Sequence, residues 1–261
     1  MAYHRPMTEI SPAPAVVLVR PREEGNVGSA ARAMANMGLE RLILVEPAPP
    51  LGELAARFAV GAGHVLAAAV RAPSVEAALA PFARVVGTTS ARDRRLAVPL
   101  LAPRELPAFL AADPAGTSTA LLFGPEVGGL TNGELSLAAA VVNIPCSAVQ
   151  PTLNLAQAVL VVAYELFVAG GSGGGSPAAG AAGAAAAARE PLASAGELAG
   201  LFGHAGEVLA RAGFERDASF PGVLADLRQL AARAALSQRE VRILRGICRR
   251  LLGALGKSGQ V

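Results

Sequence analysis

Several things are scarce in this 261-residue chain, and each scarcity excludes something. Two cysteines, Cys146 and Cys248, are too few for a disulfide framework and lack metal-ligand spacing. They read as free thiols in a cytoplasmic protein. Three scattered histidines, His4, His64 and His204, form no cluster with cysteine or carboxylate, so no metal is expected. Hydrophobic residues make up 52%, but much of that is alanine, and no strongly apolar run reaches the roughly 20 residues of a membrane span. The nearest run, Leu153 to Ala169, is broken by Asn154, Gln157 and Glu165. Met1 to Pro14 lacks the charged start and apolar stretch of a signal peptide.

The common nucleotide fingerprints are missing too. No G-x-G-x-x-G follows a strand, and the Gly170 to Gly175 cluster follows a helical pattern instead. Gly256-Lys257-Ser258 has the ending of a P-loop, but Leu251 stands where its first glycine belongs. No G-x-S-x-G elbow is present.

What is present divides the chain. Residues 170–189 form a Gly/Ser/Ala-rich tract with the composition of a flexible linker. It separates residues 1–169 from residues 190–261. Residues 1–188 carry 12 basic and 13 acidic residues, a net of −1. Residues 189–261 carry 11 and 7, a net of +4. Such asymmetry fits a polyanionic partner contacted by the C-terminal part, or a solvated arginine-rich helix face.

In the first part, short β-branched runs alternate with helical patterns. Val16–Val19, Leu42–Val45, Val85–Thr88, Leu121–Phe123 and Val141–Ile144 read as strands. Ser29–Met37, stopping at Gly38, Pro103–Ala111 and Leu153–Ala169 read as helices, and Thr131-x-x-Glu134 reads as a capping box. The alternation predicts a mostly parallel α/β sheet. The second part reads as all helix. After a second capping box, Ser237 to Glu240, a stripe of Val241, Leu244, Cys248 and Leu251, with Ile247 beside it, is expected to pack inward. Arg242, Arg245 and Arg249 would then form a ladder of guanidinium groups on another stripe.

Three polar, glycine-containing loops fall at the C-terminal ends of predicted strands, the edge where open α/β sheets bind ligands. They are Pro21 to Gly28, Gly124 to Asn132, and Pro145 to Asn154. Their glycines let backbone approach a ligand closely. Arg32 is expected just inside a helix starting near Gly28, where dipole and guanidinium together suit a phosphate. A plain surface salt bridge is the other reading.

The three loops together resemble the three motifs of the SpoU branch of the SPOUT RNA methyltransferases. Gly25-Asn26-Val27-Gly28 with Arg32 is similar to motif one. Phe123-Gly124-Pro125-Glu126 with Gly129-Leu130-Thr131-Asn132 and Glu134 is similar to motif two. Ile144-Pro145 with Thr152-Leu153-Asn154-Leu155-Ala156 is similar to motif three. Val86 to Arg92, containing Thr-Ser-Ala-Arg, resembles the TrmJ-type tRNA 2′-O-methyltransferases. So do Phe202-Gly203-His204, Gly213-Phe214, Pro221-Gly222 and Ile243 to Ile247.

The resemblance implies an α/β knot: a parallel sheet whose C-terminal loops thread a deep trefoil knot, with a small all-helical extension. It implies S-adenosylmethionine as cofactor, a homodimer with a shared active site, and tRNA as substrate, methylated on the ribose of the first anticodon-loop nucleotide. It assigns Asn26, Arg32, Glu126 and Asn154 to the catalytic cluster. Thr89, Ser90, Ala91, Gly124, Ile144, Pro151, Thr152 and Leu153 would hold the cofactor. Arg92, Arg242, Arg245 and Arg249 would contact RNA. Arg32 would act as base or as phosphate clamp; a guanidinium is a poor base near neutral pH. Two departures stand out. Thr152 replaces the usual serine, behind Pro151, which has no N–H to donate. Pro125 and Val127 stand where relatives often carry arginine. The alternatives are a SpoU-type enzyme acting on ribosomal RNA or another tRNA nucleotide, a knotted RNA-binding protein without catalysis, and a small-molecule methyltransferase.

Overall fold

The computed structural model describes residues 12–47, 51–90, 98–172, 190–214 and 220–258. Seven strands form one wholly parallel sheet: β1 Ala15–Val19, β2 Leu42–Val45, β3 Val70–Ala72, β4 Arg84–Thr89, β5 Leu100–Leu101, β6 Thr119–Phe123 and β7 Ala140–Asn143. Their order across the sheet is β3-β2-β1-β6-β4-β7-β5. The five strands expected from the sequence are all present, and β3 and β5 are additional short edge strands.

β1 reads Ala-Val-Val-Leu-Val because it is buried on both faces, as parallel strands are. Alternate residues serve different cores. Val16 and Leu18 join one, with Leu121 and Phe123 of β6 beside them, while Ala15, Val17 and Val19 join the other. The first core is covered by α1 (Glu24–Asn36), with α2 (Glu53–Phe58) and α3 (Gly63–Ala67) beside it, and by α5 (Leu106–Ala111) and α7 (Leu155–Phe167). The second is covered by α4 (Val75–Leu79), Phe82, and the segment of Leu130 and Leu135 that includes α6 (Asn132–Leu135). The result is a three-layer α/β body.

α1 differs from expectation at its start. It begins at Glu24, so Gly25, Asn26 and Gly28 lie inside the helix rather than in a loop. Gly28 faces α2: a Cβ there would lie 2.1 Å from the Ala55 carbonyl oxygen. The glycine serves close helix–helix approach, which outweighs its poor helix propensity. Gly38, at φ +71°, ends the helix as expected, with Leu39 N–H donating to the Met34 carbonyl at 2.9 Å.

α7 continues through Val168–Ser172 in wider π-type turns, so the first residues of the 170–189 tract extend the helix. Residues 173–189 lie outside those described. Beyond them come α8 (Ala195–Arg211), α9 (Phe220–Ala234) and α10 (Gln238–Ser258). The first turn of α8 docks on the body through its otherwise orphaned amides. Ala195 N–H donates to Phe82 O at 2.7 Å, and Gly196 N–H donates to Ala80 O at 3.0 Å. Both capping boxes noted in the sequence form, through Thr131 with Glu134 and Ser237 with Glu240.

The facing of α10 corrects the expected stripe. Val241 is buried and Cys248 packs beside it, but Leu244, Ile247 and Leu251 are exposed. Arg245 leaves the ladder: its guanidinium lies over Gly200 of α8, and its Nε is buried. Positions 241, 245 and 248 fall within about 60° of one another on a helix, and 244, 247 and 251 fall to one side. α10 packs mainly on α8, so only the narrow stripe is covered.

Candidate active site

A cavity of about 240 Å³ opens at the C-terminal ends of β4, β6 and β7. Parallel strands bring the three loops to one edge, as the strand register requires. Thr88 and Thr89 line it at the end of β4, with Ser90 just after; Gly124 to Glu126 and Gly128 to Leu130 after β6; Ile144 and Cys146 after β7; and Thr152 and Leu153 before α7. Seven of the expected residues, Thr89, Ser90, Gly124, Glu126, Ile144, Thr152 and Leu153, are among them. Pro151 is exposed and outside the lining. Ala91 and Arg92 lie outside the described residues.

Gly124 is required by close approach: a Cβ there would lie 2.3 Å from the Leu130 amide nitrogen. Gly128 and Gly129 both take left-handed backbone, at φ +87° and +62°. The loop therefore folds back on itself and presents backbone to the cavity. Asn143 is a polar residue ending an otherwise apolar strand. Its Nδ2 donates to the Thr89 carbonyl at 2.9 Å, fixing the β4 rim. Sequence reasoning passed over it, although a lone amide closing an Ala-Val-Val run was a usable signal.

Beside the cavity, one residue from each motif joins a directional relay. Asn26 Nδ2 donates to Glu126 Oε1 at 2.8 Å. Asn154 Nδ2 donates to Asn26 Oδ1 at 2.8 Å. Asn154 Oδ1 accepts from the Ala156 amide at 2.8 Å, capping α7, while Gln157 accepts from the Asn154 amide at 3.1 Å. The second carboxylate oxygen of Glu126 accepts from the Arg22 amide at 3.1 Å. Burial pushes the Glu126 pKa up, but hydrogen bonds from the Asn26 side chain and nearby backbone amides outweigh it. The net pKa is lowered, and the group is ionised at neutral pH. Glu126 thus accepts the bond that orients Asn26, and its lowered pKa makes it a weaker base than an ordinary carboxylate.

Arg32 stands apart from this relay. It is exposed, and it does not line the cavity. Six residues separate it from Asn26 on α1, about 9 Å along the axis and about 120° around it. Because α1 starts at Glu24, Arg32 is more than two turns from the helix N-terminus, and the expected help from the dipole is lost. Arg242 and Arg249 are exposed on α10. Among the described residues, no His/Cys/Asp/Glu group could hold a metal, and no helix is long and apolar enough to cross a membrane.

Residues 13–164 match the model of the SpoU rRNA Methylase family, and residues 196–260 match that of the tRNA methyltransferase TrmJ C-terminal domain. The tRNA (cytidine/uridine/adenosine-2′-O-)-methyltransferase TrmJ of Pseudomonas aeruginosa is 41% identical over 235 residues, 89% of this chain and 91% of that protein. The tRNA (cytidine/uridine-2′-O-)-methyltransferase TrmJ of Salmonella typhimurium is also 41% identical, over 89% and 93%. The crystal structure of TrmJ from Z. mobilis ZM4 superposes with a TM-score of 0.77 at 32% identity, covering 92% of this chain and 99% of that one. Motifs, fold and likeness agree: the chain belongs to the SpoU methyltransferase family, among its TrmJ-type enzymes.

Proposed function

We propose that the protein transfers a methyl group from S-adenosylmethionine to a ribose 2′-hydroxyl of tRNA, at the first anticodon-loop nucleotide. The relay of Glu126, Asn26 and Asn154 carries this reading, because it ties the start of α1 to the two loops beside one cavity. The cavity fits the cofactor chemically. It combines apolar walls from Leu130, Ile144 and Leu153 with the hydroxyls of Thr89, Ser90 and Thr152, as a nucleoside with a charged tail requires. The ionised Glu126 on its wall complements a cationic sulfonium. Bound S-adenosylmethionine supplies an already electrophilic methyl, so the protein's task is chiefly positioning.

Arg32 holds the phosphate next to the target ribose and stabilises charge developing on the attacking oxygen. Its distance from its own cavity supports a homodimer in which it serves the partner's site. Exposed Leu54 and Phe58 on α2 and Leu160 and Tyr164 on α7, helices that both pack on α1, supply an apolar surface for that contact. The trefoil knot expected of the family would hold the motif loops rigid. The body, residues 1–169, performs the chemistry in the cytoplasm, and the extension, residues 190–261, grips tRNA through Arg242, Arg249 and neighbouring arginines.

The test is label transfer from radioactive cofactor to bulk tRNA and, in a parallel reaction, to ribosomal RNA, followed by mapping of the modified nucleotide. A 2′-O-methyl at the first anticodon-loop position is expected. Label on ribosomal RNA alone moves the enzyme to another SpoU substrate, and tRNA binding without transfer makes it a binder.

A further inference from the structure

Two residues at the rim of the sheet share an uncommon backbone. Arg20 (φ +45°) directly follows β1, and Glu46 (φ +43°) directly follows its neighbour β2. Left-handed backbone is rare for residues with a Cβ, and it persists where surrounding contacts determine it. Here the contacts are explicit. Arg20 N–H donates to Val45 O at 2.8 Å, and Glu46 N–H donates to Ala72 O at 3.4 Å. The two strand tips turn in the same way and bring their charges within 4.0 Å, Arg20 Nη1 to Glu46 Oε2.

The other arm of the guanidinium reaches the cavity loop. Arg20 Nη2 lies 2.5 Å from Oε1 of Glu134, whose side chain is only 11% exposed against 37% for Arg20. Glu134 is used twice, because its Oε2 accepts from the Thr131 amide at 2.7 Å and closes the cap of α6. Just ahead of that cap come Gly128, Gly129 and Leu130, which form a wall of the cavity. The β1–α1 loop thus grips the motif-two loop at both ends: by the Arg22 amide on Glu126, and by the Arg20 side chain on Glu134.

We propose that Arg20 is a positioning residue for methyl transfer, fixing the Gly124–Glu134 wall against which the cofactor binds. This rests on the cofactor reading given above. Without Arg20, Glu134 loses the partner that holds it while it caps α6, and the left-handed glycines ahead of it gain freedom. A charge-assisted contact to a largely buried carboxylate is worth more than an exposed pair. The loss is felt first in cofactor affinity, because that wall is part of the cofactor site.

The experiment uses the full-length protein and S-adenosylmethionine as probe. Calorimetric affinity, melting temperature and amide hydrogen exchange are measured for Arg20→Met, Arg20→Lys, Glu134→Gln and the Met/Gln double variant. Arg20→Met is expected to weaken cofactor binding about tenfold. It should speed exchange across 124–134 but not in α10, and raise the cofactor KM more than it lowers kcat. Arg20→Lys should recover much of the affinity. Glu134→Gln should resemble Arg20→Met, and the double variant should be little worse than either single one, as for partners in one contact. Unchanged affinity and unchanged exchange in 124–134 would overturn the proposal. So would exchange that rises equally throughout the chain, which would mark a general stability effect. If the wild type binds no cofactor, the reading beneath fails instead, and the exchange pattern still decides the role of Arg20.

Discussion

The strand-end loops of the body and the helical extension handle polar side chains in opposite ways. Around the cavity the groups consume one another: Glu126 takes Asn26, Asn26 takes Asn154, and Asn154 takes the Ala156 amide of α7. On α10, Arg242 donates to the Gln238 carbonyl one turn earlier at 3.3 Å, and Arg249 and Arg250 stand exposed. The first arrangement is preorganised, so little reorganises when substrate arrives. The second leaves charge available to any polyanion, giving affinity and salt dependence without geometric demand. Arg32 belongs to the body by sequence but is exposed like the arginines of the extension. That is why its proposed work is on bound RNA rather than within the relay.

The largest effect should separate Arg32 from the extension arginines. Arg32→Ala should lower kcat roughly 10²- to 10³-fold, the range for losing one transition-state donor, with cofactor affinity unchanged by calorimetry. Wild-type turnover in this variant would remove Arg32 from the chemistry. Next come two glycines that look alike in sequence and differ in consequence. Gly28→Ala forces a methyl onto the Ala55 carbonyl, and Gly124→Ala forces one onto the Leu130 amide. Each should lose about 1–3 kcal/mol of stability by overpacking. Only Gly124→Ala should also abolish measurable cofactor binding in protein that remains folded. If both variants bind cofactor normally, the Gly124–Leu130 fold-back is not a cofactor wall.

These glycines also show what the sequence could reveal. β1, β2, β4, β6 and β7 were legible because β-branched runs in a sheet covered on both faces leave little alternative. β3 and β5 were not, being edge strands of three and two residues. The short helices α2, α3 and α4, of five or six residues, gave no periodic signal either. Gly25 and Gly28 read as a loop because local propensity says so, whereas the approach of α2 decides otherwise. Motif residues were found through their family likeness, but the relay was not. Hydrogen bonds spanning 100 and 128 residues have no spacing to read. Arg245 was misplaced for a related reason. Periodicity gives the stripes of α10, but not which of them α8 covers.

A smaller effect should come from the extension. Replacing Arg242 and Arg249 by alanine should weaken tRNA binding about tenfold and make the salt slope shallower by about one for each phosphate no longer neutralised. Cofactor affinity should hold, since neither residue lines the cavity. An unchanged salt slope would show that α10 is a solvated helix and that RNA is gripped elsewhere.

The smallest effect isolates the relay from everything else by pH. The Glu126 pKa is lowered on folding, so the unfolded chain takes up its proton first as pH falls. Its hydrogen bonds therefore stabilise the fold fully above the ordinary carboxylate range, and less and less as pH drops through the folded value. Glu126→Gln removes that titration while leaving a side chain of similar size. An amide oxygen can accept from Asn26 or from the Arg22 amide, but the new N–H₂ faces the other donor. The variant should melt below the wild type at neutral pH. The gap should narrow in acid, where the wild-type carboxyl becomes protonated and loses the same bonds. Other carboxylates titrate equally in both proteins and cancel in the difference. Melting curves of the two proteins from about pH 7 to about pH 3, spanning the carboxylate range, measure it. A gap that stays constant to the acid end would mean that the charge on Glu126 is not what holds Asn26 and the three loops together.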